Sequence, residues 1–328
     1  MSGEIVRWGD AAQYEAAPIK KDELGRITPQ VHLLWATPDP LGAIAAVCRQ
    51  YKGIPTYDLS DITDEERREY WQESFKSHLR APHEFVQFHF QVEAVTRSFT
   101  HQAVRQRTAT FGQESLRFAV KDNLAQEVAL PPSIVDGSNA ASVWESCIKD
   151  IETAYNALVN SGIPAEDARG LLPHATTTRL HWRTNLNDLL HHAGNRLCTQ
   201  AQFEWRFVMI GVMNAIKNFS PLIPAPRERD VCGELYEPAG WQFELIGTPW
   251  AKTFAPICYH TGKCEFRAIF DRPCSIRDRV DAFAANSIPS SQWGEGAEHV
   301  GGADEGVEIP PIHVEEWLLD HTAARGDH

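Results

Sequence analysis

The stretch EFVQFHFQVEAV constrains the fold more than any other part of the chain. Val86, Phe88, Phe90 and Val92 alternate with Gln87, His89, Gln91 and Glu93. Successive side chains of a strand point to opposite faces, so this pattern predicts a strand in a sheet with one buried face and one polar face. Other elements surround it. VHLLWATPDPLGAIAAVCRQY predicts a strand, a turn at Pro38 and Pro40, and a helix. Thr63 and Glu66 have the spacing of a capping box, which opens a second helix. VWESCIKDIETAYNALVNSG predicts a third, stopped by Gly162 and Pro164. The run from Thr184 to Phe219 reads as one long helix, with Leu186, Leu189, Leu190, Ala193, Leu197 and Ala201 toward a core. SFTHQAVRQRT is a helix or turn after the main strand.

Strands and helices therefore do not alternate as regular βαβ units, which predicts an α+β fold rather than a doubly wound one. Residues 31–220 form the compact part. Residues 1–30 are charged and irregular, and residues 221–328 are Pro-, Gly- and acid-rich. Neither a Walker loop nor a Gly-x-Gly-x-x-Gly turn is present.

Charge and cysteine content narrow the setting. The 328 residues carry a net charge of −13, and from Glu295 onward Arg325 is the only basic residue against nine acids. With no basic stripe interleaved with aromatics, a nucleic-acid-binding module is not expected. No run approaches the roughly 18 apolar residues of a membrane helix. The N-terminal residues lack the apolar core of a leader, and seven cysteines do not suggest a disulfide framework, so a cytoplasmic setting is expected.

Three segments concentrate polar groups. In HQAVRQRTATFGQESLRF, Arg105, Arg107 and Arg117 are interleaved with Gln102, Gln106, Gln113 and Ser115. Guanidinium forks suit phosphate, and Ser and Gln add neutral hydrogen bonds, although a solvated face with surface ion pairs has the same composition. Arg169 lies in the loop ARGLLP. His192, Arg196 and Gln200, spaced four apart, share one helix face, with Asn185 and His191 nearby. No Gly-x-Ser-x-Gly elbow or activated cysteine motif occurs, so an enzyme built on this chain needs a cofactor for its hard chemistry. Near the C-terminus, Cys232, Cys258, His260, Cys264 and Cys274 are weak zinc candidates; their spacing lacks paired Cys-x-x-Cys knuckles.

Arg105-Gln106-Arg107, seven residues and Ser115 resemble the Arg-His-Arg signature of the flavin-dependent thymidylate synthases. ARGLLP and TNLNDLLHHAGNRLCTQAQFEWR are similar to further motifs of that family, in family order, over residues 31–218. The resemblance implies an antiparallel sheet flanked by long helices in an α+β catalytic domain, and a homotetramer with shared sites. It implies FAD, deoxyuridylate (dUMP), 5,10-methylenetetrahydrofolate and NADPH, with reductive methylation of dUMP to dTMP and no enzyme nucleophile. By motif position, Arg196 is the catalytic cation. Gln102, Gln113, Ser115, Leu116, Arg117 and Arg169, with Arg196, match dUMP contacts. Arg105, Gln106, Arg107, Asn185, Asn187, His191 and Gln200 match FAD contacts. Two departures stand out: Gln106 replaces the usual His and Asn187 the usual Arg. They leave open a homologue that binds flavin and nucleotide but is catalytically altered. An upstream active-site histidine would be His78 or His83.

Overall fold

The structure, a computed structural model, describes residues 14–15, 27–76, 79–131, 133–134, 137–198, 201–217 and 256–258. Its centre is a four-stranded antiparallel sheet of β2 (Gln30–Ala36), β3 (Gln87–Thr96), β6 (Thr177–Asn185) and β4 (Thr110–Gln113), in that spatial order. Two minor strands, β1 (Tyr14–Glu15) and β5 (Ala119–Val120), pair in parallel, so a piece of the N-terminal arm is not irregular.

The predicted alternation holds along β3. Phe88, Phe90 and Val92 are fully buried, while Gln87, His89, Gln91 and Glu93 are half-buried on the other face. It fails after Val92, where the register against β6 shifts and Ala94 takes a φ of 58°. This bulge puts Val95 and Thr96 both inside. Helices cover the apolar face: α1 (Pro40–Tyr51), α2 (Asp64–Lys76), α4 (Arg97–Ala103), α7 (Leu186–Arg196) and α8 (Phe203–Lys217) share one core with the sheet. Each large apolar side chain removed from water there contributes about 1.5–3 kcal/mol. The opposite face stays polar, with His181 and Arg183 exposed. The layers are those of an α+β fold with helices on one side of an antiparallel sheet.

The helix at Thr63 is α2, and its capping box is formed: the Glu66 N–H donates to Thr63 Oγ1 at 3.2 Å and the Thr63 N–H to Glu66 Oε2 at 3.1 Å. A short helix, α3 (Ala81–Glu84), precedes β3. The third predicted helix is α5 (Asn139–Asn160), followed by α6 (Ala165–Ala168). It ends where Gly162 adopts a φ of 82°, a conformation that costs a glycine little. Close packing needs a second glycine: a Cβ on Gly211 of α8 would stand 2.8 Å from Val31 Cγ2 on β2.

The single long helix from Thr184 is corrected. Thr184 and Asn185 end strand β6, Asn185 caps α7, and the chain leaves helical geometry after Arg196 before α8 begins at Phe203. Local bonds account for the break: Leu197 closes α7 onto Ala193 O, and the Arg206 guanidinium takes the Ala201 carbonyl at 3.0 Å. No described helix is long and apolar enough to cross a membrane.

Candidate functional site

α4, the turn after it and α7 enclose a cleft of about 670 Å³. It is lined by Gln102, Arg105, Gln106, Arg107, His191 and Arg196, all singled out in the sequence. Backbone bonds from Val104, Arg105 and Gln106 to Thr100, Gln102 and Ala103 wind α4 into this turn and fix where its side chains emerge. Arg105 and Arg107 are exposed, and no ion pair to a carboxylate is formed by either among the described residues. Thr108, Asp188, His192, Asn195, Cys198 and Ala201 complete the lining.

Arg196 is the most constrained cation of the cleft. Its Nη1 donates to Gln102 Oε1 at 3.2 Å, and its guanidinium carbon lies 4.8 Å from the centroid of the Trp205 ring. Its Nε is buried with no hydrogen-bond partner among the described residues. Burial pushes its pKa down, yet a guanidinium stays charged at neutral pH. The charge is held by neutral groups and left for a ligand.

Gln106 is buried, and both ends of its amide are engaged. Its oxygen accepts from the Trp182 indole N–H at 3.2 Å, and its nitrogen donates to Thr184 Oγ1 at 3.3 Å. An amide does this in one orientation without titrating, whereas an imidazole can do it only when neutral. His192, stacked on Trp205 at 5.8 Å, is held neutral: burial first, then Arg196 and His191, lower its pKa to about 4.

The other candidates lie elsewhere. Gln113, at the end of β4, donates to Thr100 Oγ1 at 2.9 Å. Ser115 Oγ accepts from the Arg117 N–H at 3.3 Å, and Leu116 is buried. Arg117 pairs with Glu166 at 3.1 Å, and Arg169 Nε donates to the Glu166 carbonyl at 3.0 Å. Arg97 lies close enough to Arg169 for that charge to lower its pKa, after burial and against Glu114. These residues form a second basic group, outside the cleft lining. Asn185 is engaged as the cap of α7, with both side-chain ends on Asp188 at 2.8 Å, and Asn187 donates to Glu84 at 3.4 Å. His83 is wholly buried against Ser74 and Phe75, and Gln200 and His78 lie outside the described residues.

His192, placed by its spacing on the Arg196 face, lines the cleft as well, whereas Asp188, Asn195 and Cys198 were not singled out. The spacing of Asn195 to His191 on α7 carried the signal for one of them. Among the zinc candidates, Cys258 is buried, and Cys232, His260, Cys264 and Cys274 lie outside the described residues. Among the described residues no group of three or more His, Cys, Asp or Glu could hold a metal. Next to Cys258, Ile257 packs on α7, 3.7 Å from where a Cβ on Gly194 would stand.

The cleft suits a phosphate-bearing ligand. Three guanidiniums line it, Arg196 Nε is orphaned, and its volume is within the range of cofactor sites. Known proteins point the same way. The family described as "Thymidylate synthase complementing protein" matches residues 32–222. The chain is 29% identical over 221 residues to a "Flavin-dependent thymidylate synthase" of Geobacter sulfurreducens, covering 63% of this chain and 95% of that one. A protein of the same description from Nitratidesulfovibrio vulgaris is 32% identical over 240 residues, 68% of this chain and 91% of its own. One from Pyrococcus furiosus is 36% identical over 198 residues, covering 60% and 72%.

Proposed function

The chain belongs to the flavin-dependent thymidylate synthase family, and from that premise we propose that it is the enzyme that methylates dUMP to dTMP at the cleft beside Arg196. The single observation that carries the site assignment is the half-buried Arg196 guanidinium, held by an amide and an indole with no carboxylate on it among the described residues.

Arg105, Gln106 and Arg107 would hold FAD, with His191 beside them. That group would supply the hydride, with NADPH as the source of reducing equivalents and 5,10-methylenetetrahydrofolate as the carbon donor. Arg196 does the chain's own electrostatic work. For uracil C5 to attack the methylene, negative charge must build on the ring oxygens. A fixed cation in a site shielded from water stabilises that charge without reorganising. This makes an enzyme nucleophile unnecessary.

The second basic group, Gln113, Ser115, Leu116, Arg117 and Arg169, takes the phosphate and sugar of dUMP. It stands apart from the cleft lining within one chain, which supports a homotetramer in which one subunit's group completes another's cleft. Asn185, Asn187 and Gln200 are secondary FAD contacts in this reading, and the enzyme works in the cytoplasm.

Gln106 and Asn187 favour one other reading, a flavin-binding homologue without turnover. Complementation separates the two. Expression in a thymidine-requiring bacterial strain is expected to restore growth without thymidine. Failure to grow, with soluble protein present, contradicts the enzyme.

A further inference from the structure

A line of hydrogen bonds connects a buried carboxylate to the cleft. It begins at Glu204, 1% exposed in the first turn of α8. The Thr96 N–H donates to Glu204 Oε1 at 2.7 Å, and the Thr96 hydroxyl to Oε2 at 2.6 Å. That hydroxyl oxygen already accepts from the Phe99 N–H at 3.2 Å, so its hydrogen goes to Glu204. Gln202 Nε2 donates to the same Oε2 at 2.6 Å, which turns Gln202 Oε1 toward Gln102 Nε2 at 2.5 Å. Gln102 Oε1 then accepts from Arg196 Nη1 at 3.2 Å and from Trp205 Nε1 at 3.1 Å.

The polarity of this line is forced. Its two ends, the Thr96 N–H at one and the Trp205 and Arg196 N–H groups at the other, can only donate. Two amides in series carry that demand between them without a clash when the group at position 204 offers acceptors to both Thr96 and Gln202, as an ionised carboxylate does. An amide there must turn its NH2 either against the Thr96 N–H or against Gln202 Nε2, and the second flips Gln202, then Gln102, and sets an amide N–H against Arg196 and Trp205. Burial raises the Glu204 pKa, while the Thr96 and Gln202 donors and the N-terminal turn of α8 favour its ionised form. With its oxygen doubly engaged and one N–H on Gln202, Gln102 has one N–H left for the cleft it lines.

We propose that Glu204 is a positioning residue: through Gln202 it fixes the Gln102 amide with its oxygen on Arg196 and its remaining N–H toward the cleft, so that Gln102 donates only to an acceptor atom of the bound nucleotide. The identity of that nucleotide rests on the thymidylate synthase reading; the positioning does not.

The test compares the FAD-loaded wild type with Glu204→Gln, which keeps shape and puts an NH2 in place of one acceptor oxygen. Loss of one oriented hydrogen bond to substrate raises the KM for dUMP about tenfold, with FAD content unchanged. In a Gln102→Ala background, Glu204→Gln adds nothing, because its effect runs through Gln102. A merely structural role would lower the melting temperature, leave KM unchanged in the folded fraction and add equally in both backgrounds; that result overturns the proposal. Gln202→Leu breaks the line while leaving both Thr96 donors on the buried carboxylate, reproduces the KM effect, and carries the test if Glu204→Gln fails to fold. Crystal structures read the positioning without turnover. The 3.2 Å Arg196–Gln102 contact is expected in the wild type and lost in the variants, and its survival in them refutes the proposal. A wild type that makes no thymidylate but loses this contact on substitution would defeat the functional reading alone.

Discussion

Arg196 stands over the indole ring of Trp205, its guanidinium carbon 4.8 Å from the ring centroid. A cation on an aromatic face gains about 0.5–2 kcal/mol, more as water is excluded, and keeps its charge available to a ligand. A carboxylate in the place of Trp205 would have neutralised it.

Arg196→Ala is therefore expected to lower kcat by at least about 10²-fold, the loss typical of removing one preorganised group from a developing oxyanion. Bound FAD should be largely spared, since Arg105 and Arg107 remain. Flavin absorbance and thymidylate formation on one preparation check both, and persistent turnover would remove Arg196 from the catalytic role.

Cys198 is the described cysteine that lines the cleft. Chemistry without an enzyme nucleophile predicts that Cys198→Ser retains turnover within about threefold, because no bond to substrate is lost. Loss of activity together with a covalent dUMP adduct in the wild-type mass spectrum would instead show a nucleophile.

Lys121 is wholly buried, with Nζ 2.9 Å from Glu114 and also bonded to Glu127. Glu114 directly precedes Ser115 and donates its N–H to the Arg179 carbonyl at 3.0 Å. Lys121→Met removes the buried cation that two half-buried carboxylates share, leaving Arg179, 3.9 Å from Glu114, as the nearest charge partner. It is expected to destabilise the fold by about 3–5 kcal/mol, the usual loss on breaking a buried pair from one side. Urea unfolding measures it, and a loss under about 1 kcal/mol would show the pair to be dispensable.

The legible part of the fold was the part whose periodicity is local. β3 showed itself through Phe88, Phe90 and Val92, and α2 through Thr63 and Glu66. β6 was passed over although Leu180, Trp182 and Thr184 point inward, because Arg179, His181 and Arg183 between them gave a polar stretch next to a helical pattern. The break between α7 and α8 carries no Gly or Pro at 197–202; side-chain bonds from Arg206 to the Ala201 carbonyl and from Gln202 to Glu204 hold it, and no residue type at 197–202 announces them. For the site, spacing placed Arg196 and His192 on one face of α7, but not the pairing of Gln102 with Arg196, 94 residues apart. The Glu204 line crosses three segments and has no local sequence signal.

His83 gives a pH dependence. Burial first, and Arg80 second, push its pKa to about 4 from an ordinary 6.5. Its folded value is depressed, so its contribution is full above pH 6.5 and is lost as pH falls toward 4, by about 3 kcal/mol in all. His192 shifts in the same direction. Unfolding free energies between pH 7 and 4 should fall, and His83→Leu should flatten the slope by about one proton per molecule. An unchanged slope would mean that His83 is protonated in the fold.

The central claim is tested most directly by giving purified, FAD-bound protein dUMP, 5,10-methylenetetrahydrofolate and NADPH and following thymidylate. The account predicts dTMP formed at one equivalent per NADPH oxidised, over many turnovers. NADPH oxidation without dTMP, on protein that keeps its FAD, would contradict it.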